Sequence, residues 1–341
     1  LIFHKMKKYI FYSIIATFIL IELSLRIFAP IIETGTVTNY KYDETLGIKY
    51  KNNLRSVVLK DYIEETITNK FGTVNYQNDF SKYDKIIFSI GDSNTMGAGV
   101  QFDESYPFQM YLELNNGLLS NDFSYGVVNL GIQASGTIAA LIIYEIFKSK
   151  ISRPDYVTHL GTSNDYRDDL YFESGKKHSH LIDGSPRLYG YGGKINFIIS
   201  KIEFLKRLKL IYSSLRYVPI KIGSNLPDKF EIFKKGFDEK TSHRYLEFNE
   251  KSNKENFKFI LSWSGDSNIK NPCDKSYYYI KEWAQKNNIY FADWCSNYKK
   301  IHKKIPELTS TNNHSAKHYK TWVNKIISNS FAEKIFFIEN N

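Results

Sequence analysis

Apolar residues form one long run near the N-terminus and then several shorter runs, each about the length of a strand. The long run, Tyr9 to Ile21, carries no charge, and Lys7 and Lys8 precede it. About 20 apolar residues are enough to cross the hydrocarbon layer of a membrane as a helix. Because positive charges stay on the cytoplasmic side, the rest of the chain is expected outside the cytoplasm, in a periplasmic or extracellular compartment. The pattern predicts a single-pass membrane anchor over residues 7–29.

Two charged residues lie at the far end of this apolar run. Glu22 and Arg26 are four residues apart, so they share one helix face and can pair near the membrane boundary. A cleaved signal peptide is the alternative interpretation, and the lack of a small-x-small cleavage site after the run favours the uncleaved anchor.

Five short apolar runs follow, and Gly, Asn or Ser and then helical periodicity come after each of them. The predicted strands are residues 85–90, 127–130, 156–160, 257–263 and 289–291. Alternation of strands and helices is typical of a parallel sheet covered on both faces. We therefore predict a three-layer α/β/α, flavodoxin-like domain over residues 81–335.

Two segments lie outside this alternation. Residues 30–80 are polar and Tyr-rich, and we interpret them as a connector with extended pieces. Residues 166–256 are too long for an ordinary connection, so they form an insert with structure of its own. Within the insert, apolar residues from Ile195 to Leu208 repeat at helical spacing among basic residues. This stripe suits core packing, a substrate lid or a helix that faces the membrane.

Composition narrows the classes of function. The net charge is +10, yet the lysines are scattered and form no Arg-rich block, so a nucleic-acid partner is not expected. Cys273 and Cys295 lack the spacing of a zinc site and are either two free thiols or one disulfide. We expect no metal and no cofactor.

Ligands of open parallel sheets bind at the carboxyl ends of the strands, so the residues that follow each strand carry the candidate chemistry. The polar segments at these places are Gly91–Val100, Asn129–Gly131 and Gly161–Asp165, and near the C-terminus Asn312–His318.

These segments contain the groups that acyl transfer requires. Ser93 opens a predicted helix and supplies a hydroxyl and its own backbone N–H. Gly131 can offer an unobstructed N–H, and Asn164 can add an amide donor for the oxyanion. A late histidine, His314, can act as the general base.

Ser93, Gly131, Asn164 and His314, in this order and at these strand ends, resemble the sequence blocks of the SGNH (GDSL) hydrolase family. The resemblance implies that Ser93 is the nucleophile. It also implies that the Ser93 N–H, Gly131 and Asn164 form the oxyanion hole and that His314 is the base.

The N-terminal part is similar to the membrane-anchored bacterial branch of that family. There, an anchor that ends in Glu-x-x-x-Arg precedes segments like Tyr42–Gly47 and Thr68–Gly72. A second Gly-Asp-Ser, at Gly265–Ser267, lacks the Thr-x-Gly-x-Gly extension of the first, and we interpret it as a loop.

The last block departs from the family pattern. The usual Asp, two or three residues before the base, is replaced by Asn312 or Thr311. A shifted register would put Asn313 in the place of the base and leave His318 as a remote candidate.

The first functional hypothesis is an esterase of the cell envelope that works through an acyl-enzyme on a small-molecule or glycan ester. The alternatives are an O-acyltransferase that acts on a cell-envelope glycan and a catalytically weak or inactive SGNH-like protein that binds a glycan or a partner. The sequence does not identify protein partners.

Overall fold

The computed structural model describes the chain except for residues 1, 29–38, 60–62, 118, 120–121, 177–180, 183–184, 187–201, 216–228, 266–271, 307 and 312–317. The first element is helix α1, Ile2–Phe28. Within it, Met6–Phe28 has a mean hydropathy of 1.9, and among the described residues it is the one helix long and apolar enough to cross a membrane. A membrane span and a signal sequence share these properties.

Two β-hairpins follow, formed by β1 (Tyr40–Asp43) with β2 (Gly47–Tyr50) and by β3 (Arg55–Leu59) with β4 (Ile63–Ile67). The predicted connector thus contains extended pieces, and these pack on the α/β domain. After the second hairpin, the side chain of Asn75 binds the backbone of the edge strand Tyr125–Gly131. Its Oδ1 accepts the Asn129 N–H at 2.8 Å, and its Nδ2 donates to the Val127 carbonyl at 2.9 Å. Tyr40, Ile48 and Tyr50 of the first hairpin are buried in the same hydrophobic core as the main sheet, so this hairpin packs on the α/β domain.

The main sheet has five parallel strands in the order β11-β10-β7-β5-β6. Its strands are β5 (Lys85–Gly91), β6 (Tyr125–Gly131), β7 (Tyr156–Gly161), β10 (Lys258–Trp263) and β11 (Tyr290–Phe291). Both faces are covered, so these strands are almost wholly buried apolar runs. The five predicted strands and the three-layer α/β/α class are confirmed.

The helices of the α/β domain lie on both faces of the sheet. Before the insert they are α2 (Ser93–Met96), α3 (Tyr106–Asn116), α4 (Thr137–Lys150) and α5 (Asp165–Tyr171). Two short strands follow, β8 (Leu181–Ile182) and β9 (Ser185–Pro186). The later helices are α6 (Glu203–Leu215), α7 (Lys229–Gly236), α8 (Ser242–Glu255), α9 (Lys275–Lys286), α10 (Cys295–Lys304) and α11 (Thr321–Glu339). Helices α3 and α11 pack together, and α4 packs with α8.

The order of the strands places the site. After β5 the chain adds β6 on one side, and it then crosses back to add β7 on the other side of β5. This reversal opens a crevice at the carboxyl ends of β5 and β7, where doubly wound sheets bind their ligands. Ser93 follows β5 and Asn164 follows β7, so both residues lie at this crevice.

The second half of the predicted insert belongs to the core. Phe237, Tyr245 and Phe248 are fully buried, and the Phe248 ring stacks on Phe259 of β10 at 5.1 Å. Of the apolar stripe, residues 195–201 lie outside the described part of the chain, and the remainder forms the beginning of α6. Core packing thus accounts for α8, whereas none of the described side chains of α6 belongs to the hydrophobic core.

Cys273 and Cys295 form a disulfide with Cα atoms 5.7 Å apart. The bond joins the segment before α9 to the first residue of α10, and both sulfur-bearing side chains are buried. The alternative that the sequence left open is therefore decided in favour of one disulfide.

Candidate active site

Ser93 is held by a tight turn between β5 and α2. Gly91 has φ 158°, and a Cβ there would lie 2.2 Å from the Thr95 hydroxyl oxygen, so only glycine fits this turn. The Asp92 carboxylate caps α2 by accepting the Asn94 N–H at 2.8 Å. Ser93 is therefore the first residue of α2, where a backbone N–H has no partner within the helix.

The partner of the Ser93 hydroxyl is His318. Its Nε2 lies 2.7 Å from Ser93 Oγ, a hydrogen-bond distance between a nucleophile and a base. Thr311 pairs with Tyr319 as a β-bridge, and the Tyr319 hydroxyl donates to the Ser264 carbonyl oxygen. Because these contacts return the chain to the carboxyl edge of the sheet directly after the loop, the residue before Tyr319 faces Ser93.

The base expected from the sequence, His314, belongs to residues 312–317 and lies outside the described residues. The position next to Ser93 Oγ is filled by His318, which the sequence analysis considered only as a remote candidate. Spacing within the final block could not identify the base, because the bridge between Thr311 and Tyr319 joins residues eight apart in the sequence.

Asn164 lies at the crevice as predicted, and hydrogen bonds to both its nitrogen and its oxygen fix the orientation of its side-chain amide. Its Nδ2 donates to Asp168 Oδ2 at 2.7 Å, and its Oδ1 accepts from the Thr162 hydroxyl at 2.7 Å. An amide nitrogen carries two hydrogens, so one N–H remains to donate to a ligand.

Gly131 is used differently from the sequence expectation. Its N–H donates to the Asn129 side-chain oxygen at 3.0 Å, and it lines a separate cavity of about 100 Å³ instead of the cleft at Ser93. A Cβ at this position would lie 2.2 Å from the Met96 nitrogen, so glycine is required for the close approach of α2 to β6. The structure thus gives Gly131 a packing role.

Ala134 lies at the cleft, although no motif in the sequence singled it out. It lines the same cleft as Ser93 and Asn164, and its φ is 53°, in the left-handed region that alanine rarely adopts. Such a backbone conformation at a cleft is a recognised sign of a functional constraint. No sequence signal marks it, because a positive φ at alanine cannot be read from residue type.

The cleft has a volume of about 490 Å³ and is lined mainly by polar groups. Apart from Ser93 and His318, its lining residues are Asp92, Asn94, Gln133, Ala134, Thr162, Ser163, Asn164, Arg167, Ser264, Gly265 and Tyr319. Arg167 supplies a cationic group on the wall. Within the described part of the chain, no group of three His, Cys, Asp or Glu side chains is arranged to hold a metal ion.

Buried carboxyl groups lie behind the cleft. Burial, together with the neighbouring Asp165 carboxyl, raises the pKa of Asp92 to about 7. Burial likewise raises the pKa of Asp168 to about 6 and that of Asp169 to about 7.

The hydroxyl of Thr162 lies between two of the buried carboxyl groups, those of Asp92 and Asp165. Thr162 Oγ1 lies 3.2 Å from Asp92 Oδ2 and 2.8 Å from Asp165 Oδ1, and it also contacts the Asn164 oxygen. A single hydroxyl proton can be donated to only one of these acceptors. The hydrogen bond with Thr162 lowers the pKa of Asp92, and burial and the Asp165 carboxyl outweigh it.

Thermal stability is expected to fall as the pH rises from about 5 to about 8. The pKa values of Asp92, Asp168 and Asp169 are higher in the folded chain than the ordinary value of 3.8, so the folded state binds more protons in this window. These groups make their full contribution to the free energy of unfolding below about pH 4, and that contribution is lost as the pH rises to about 7. Melting temperatures measured by scanning calorimetry between pH 5 and 8 test this.

The variant Asp92→Asn should flatten the pH dependence, because it removes one titrating group while keeping the shape of the side chain. The exposed residue Asp103 gives the matched control, Asp103→Asn, which should leave the slope as it is. A wild-type melting temperature that rises from pH 5 to pH 8 would contradict the raised pKa values.

Comparisons with known proteins give structural neighbours only. No protein-family model and no curated protein matches the sequence. Among solved structures, the chain is similar to a protein from Desulfitobacterium hafniense described as lipolytic and of the G-D-S-L family. The identity is 12% and the TM-score 0.38, over 74% of this chain and 99% of that one.

Two further neighbours have similar values. A protein from Parabacteroides merdae described as a GDSL-like lipase is 14% identical, with a TM-score of 0.42 over 74% of this chain and 96% of that one. An acetylxylan esterase from Geobacillus stearothermophilus is 14% identical, with a TM-score of 0.40 over 74% and 94%. Identities of this size concern the fold alone. Five parallel strands with helices on both faces, and Ser93 and Asn164 after β5 and β7, give the chain a three-layer α/β/α fold.

Proposed function

We propose that the protein is a serine esterase of the cell envelope, with Ser93 as nucleophile and His318 as general base. The observation that carries the proposal is the distance of 2.7 Å between Ser93 Oγ and His318 Nε2, within the cleft that Asn164 also lines. A nucleophile, a base within hydrogen-bond reach and an adjacent amide donor are the parts that acyl transfer needs.

In the first half of the reaction, His318 Nε2 takes the proton of the Ser93 hydroxyl while Oγ attacks the ester carbonyl carbon. The carbonyl oxygen becomes an oxyanion, which accepts hydrogen bonds from the Ser93 N–H and the free N–H of Asn164. When the intermediate collapses, the bond to the alcohol oxygen breaks and the alcohol leaves with the proton from His318. The acyl group then remains as an ester on Ser93.

In the second half, water gives a proton to His318 and attacks the acyl carbon. Collapse of the second intermediate releases the acid and returns the proton to Ser93 Oγ. An alcohol in place of water would make the same site an acyltransferase, since only the acceptor differs. Measurement of turnover with and without an added glycan acceptor separates hydrolysis from transfer.

Ala134 is proposed as the third oxyanion donor in place of Gly131. The Gly131 N–H is already bonded to Asn129, whereas the backbone of Ala134 lies on the cleft wall with the unusual φ of 53°. A backbone donor needs no side chain, so alanine can serve here as well as glycine.

An extracytoplasmic location is part of this proposal. Three features support it: the apolar helix α1, the lysines before it and the disulfide between Cys273 and Cys295. Disulfides persist in oxidising compartments and are rare in the cytoplasm. A reporter fused after residue 341 that is active only outside the cytoplasm would support the orientation, and a reporter active only inside would reverse it.

Covalent labelling is the direct test of the proposed function. The full chain, purified in detergent, is treated with a fluorophosphonate, and the modified peptide is identified by mass spectrometry together with turnover of a short-chain acyl ester. An adduct on Ser93 and measurable turnover are expected. Neither labelling nor turnover in the wild type would favour the binding-protein alternative.

Replacing Asn164 by alanine is expected to lower kcat by about 100-fold or more, because one oxyanion donor is lost. KM should change little, since the donor acts mainly on the transition state. The control is Ser163→Ala, which removes another polar side chain from the same cleft. An Asn164→Ala protein with an unchanged melting temperature and wild-type kcat would exclude the role.

A further inference from the structure

The carboxylate of Glu22, in the apolar helix α1, contacts an element 181 residues further along the chain. Its Oε1 accepts the Glu203 N–H at 2.9 Å, and its Oε2 accepts the Phe204 N–H at 3.0 Å. These are the first two residues of α6, whose N–H groups have no acceptor within their own helix. Glu22 thus caps α6, and the partial positive charge of the helix N-terminus stabilises the carboxylate.

Two further contacts strengthen this junction. Arg26, one turn after Glu22, pairs with it at 2.8 Å. The rings of Phe18 and Phe204 pack edge to face with their centres 5.6 Å apart. The contact between α1 and α6 therefore combines an aromatic pair with two hydrogen bonds from backbone N–H groups to Glu22, whose carboxylate is also paired with Arg26 within α1.

The position of Glu22 along α1 determines how deep in a membrane the contact between α1 and α6 would lie. Glu22 is six residues before the end of α1 at Phe28, and a rise of 1.5 Å per residue puts it about 9 Å below that end. Amphipathic helices that lie at a membrane surface bury their apolar face by about 5–10 Å. If α1 spans the membrane, the start of α6 lies at this depth.

The surface of α6 suits that location. Phe204, Leu208 and Ile211 are spaced i, i+4 and i+7, so they form one stripe along the helix. Leu208 and Ile211 are 46% and 55% exposed. The stripe begins at the contact with Phe18 and thus continues the apolar surface of α1.

Lys206 lies on the side of α6 opposite this stripe, and Arg207 flanks the stripe. Glu203 pairs with Lys206 at 2.6 Å and with Arg207 at 3.2 Å. Helix α6 also packs against β3 of the N-terminal hairpins, which in turn pack on the α/β domain. An apolar stripe that continues the membrane helix and a second side with the buried, paired Glu203 and Lys206 make α6 amphipathic, as interfacial helices are.

We propose that α6 is a membrane-surface helix, docked by its N-terminus on Glu22 and Phe18, with the stripe of Phe204, Leu208 and Ile211 in the outer leaflet of the lipid bilayer. The proposal rests on the membrane-spanning placement of α1, and it is independent of the chemistry at Ser93. The anchor and α6 together hold the cleft at a fixed height above the bilayer, where esters of membrane-proximal envelope molecules are accessible.

Lipid contact can be measured directly in the full chain. The native cysteines form a disulfide, so a single added cysteine, Leu208→Cys, can be labelled with the environment-sensitive fluorophore NBD. The protein is reconstituted in vesicles of phosphatidylcholine and phosphatidylglycerol that contain a lipid with a shallow nitroxide quencher. Lys235→Cys, at a side chain that is 76% exposed on α7, is the control.

Fluorescence at position 208 should fall at least twofold with the quencher lipid, and fluorescence at position 235 should stay the same. Glu22→Ala should abolish most of the quenching at position 208, because α6 loses its cap, whereas Leu23→Ala on the same helix should not. Equal fluorescence at positions 208 and 235 would overturn the lipid contact.

Crosslinking tests the junction separately. The pair Phe18→Cys and Phe204→Cys should be joined by a short bifunctional thiol crosslinker in the same vesicles, detected by mass spectrometry, because the two native rings are in contact. Absence of the crosslink would overturn the docking of α6 on α1. Release of the protein from vesicles by alkaline carbonate would overturn the membrane-spanning premise, and none of these measurements depends on esterase activity.

Discussion

Replacing His318 by alanine is expected to lower ester turnover by about 1,000-fold or more, whereas His314→Ala should leave it close to wild type. The reason is geometric: Nε2 of His318 lies 2.7 Å from Ser93 Oγ, so this ring can take the hydroxyl proton as the bond to the substrate forms. Without a base, the hydroxyl must lose its proton to water, and general-base catalysis contributes about 100- to 10,000-fold.

The measurement is kcat/KM for a short-chain acyl ester at pH 7 to 8, with a melting temperature for each variant. His318→Gln keeps a polar side chain of similar reach but cannot act as a base in this pH range, so it should be as inactive as His318→Ala. If His314→Ala abolishes turnover and His318→Ala does not, the base is His314, as the resemblance to the family implied.

Replacing Ser93 by alanine should abolish both turnover and fluorophosphonate labelling. The acyl-enzyme requires a bond between Ser93 Oγ and the acyl carbon, and no other hydroxyl can form it from the same position. The loss should be as large as that in the Ser93→Ala/His318→Ala double variant, because residues that act as one unit are not additive.

Two serines provide controls for the nucleophile. Ser163 lines the same cleft, and Ser163→Ala should keep both labelling and turnover. Ser267, in the second Gly-Asp-Ser, lies outside the described residues, and Ser267→Ala should behave in the same way. Loss of labelling in Ser267→Ala with retention in Ser93→Ala would move the nucleophile to the second motif.

Local patterns in the sequence were enough to place the strands and two of the site residues. Each strand of the main sheet is a short, buried apolar run bounded by turn residues, so its position follows from composition within a few residues. Ser93 and Asn164 directly follow such strands, and parallel strands bring their carboxyl ends to one edge. The spatial neighbourhood of these two residues was therefore predictable.

Other assignments depended on contacts between distant segments. The bridge from Thr311 to Tyr319 lies next to His318, whose ring reaches the cleft, and no spacing within the block encodes that contact. The bond from Gly131 to Asn129 removes a donor that residue type alone would suggest.

For the insert too, one feature could be predicted from the sequence and another could not. Helical periodicity identified the stripe that leads into α6, because amphipathicity is a local property of the sequence. The partner of α6 was not visible in that pattern, since Glu22 and Glu203 are 181 residues apart and meet only in the folded chain. The sequence by itself determined the five strands of the main sheet and the polar residues that follow them. The tertiary structure decided which histidine, which backbone N–H and which helix N-terminus meet a partner, because each of those contacts joins segments whose separation along the chain carries no periodic signal.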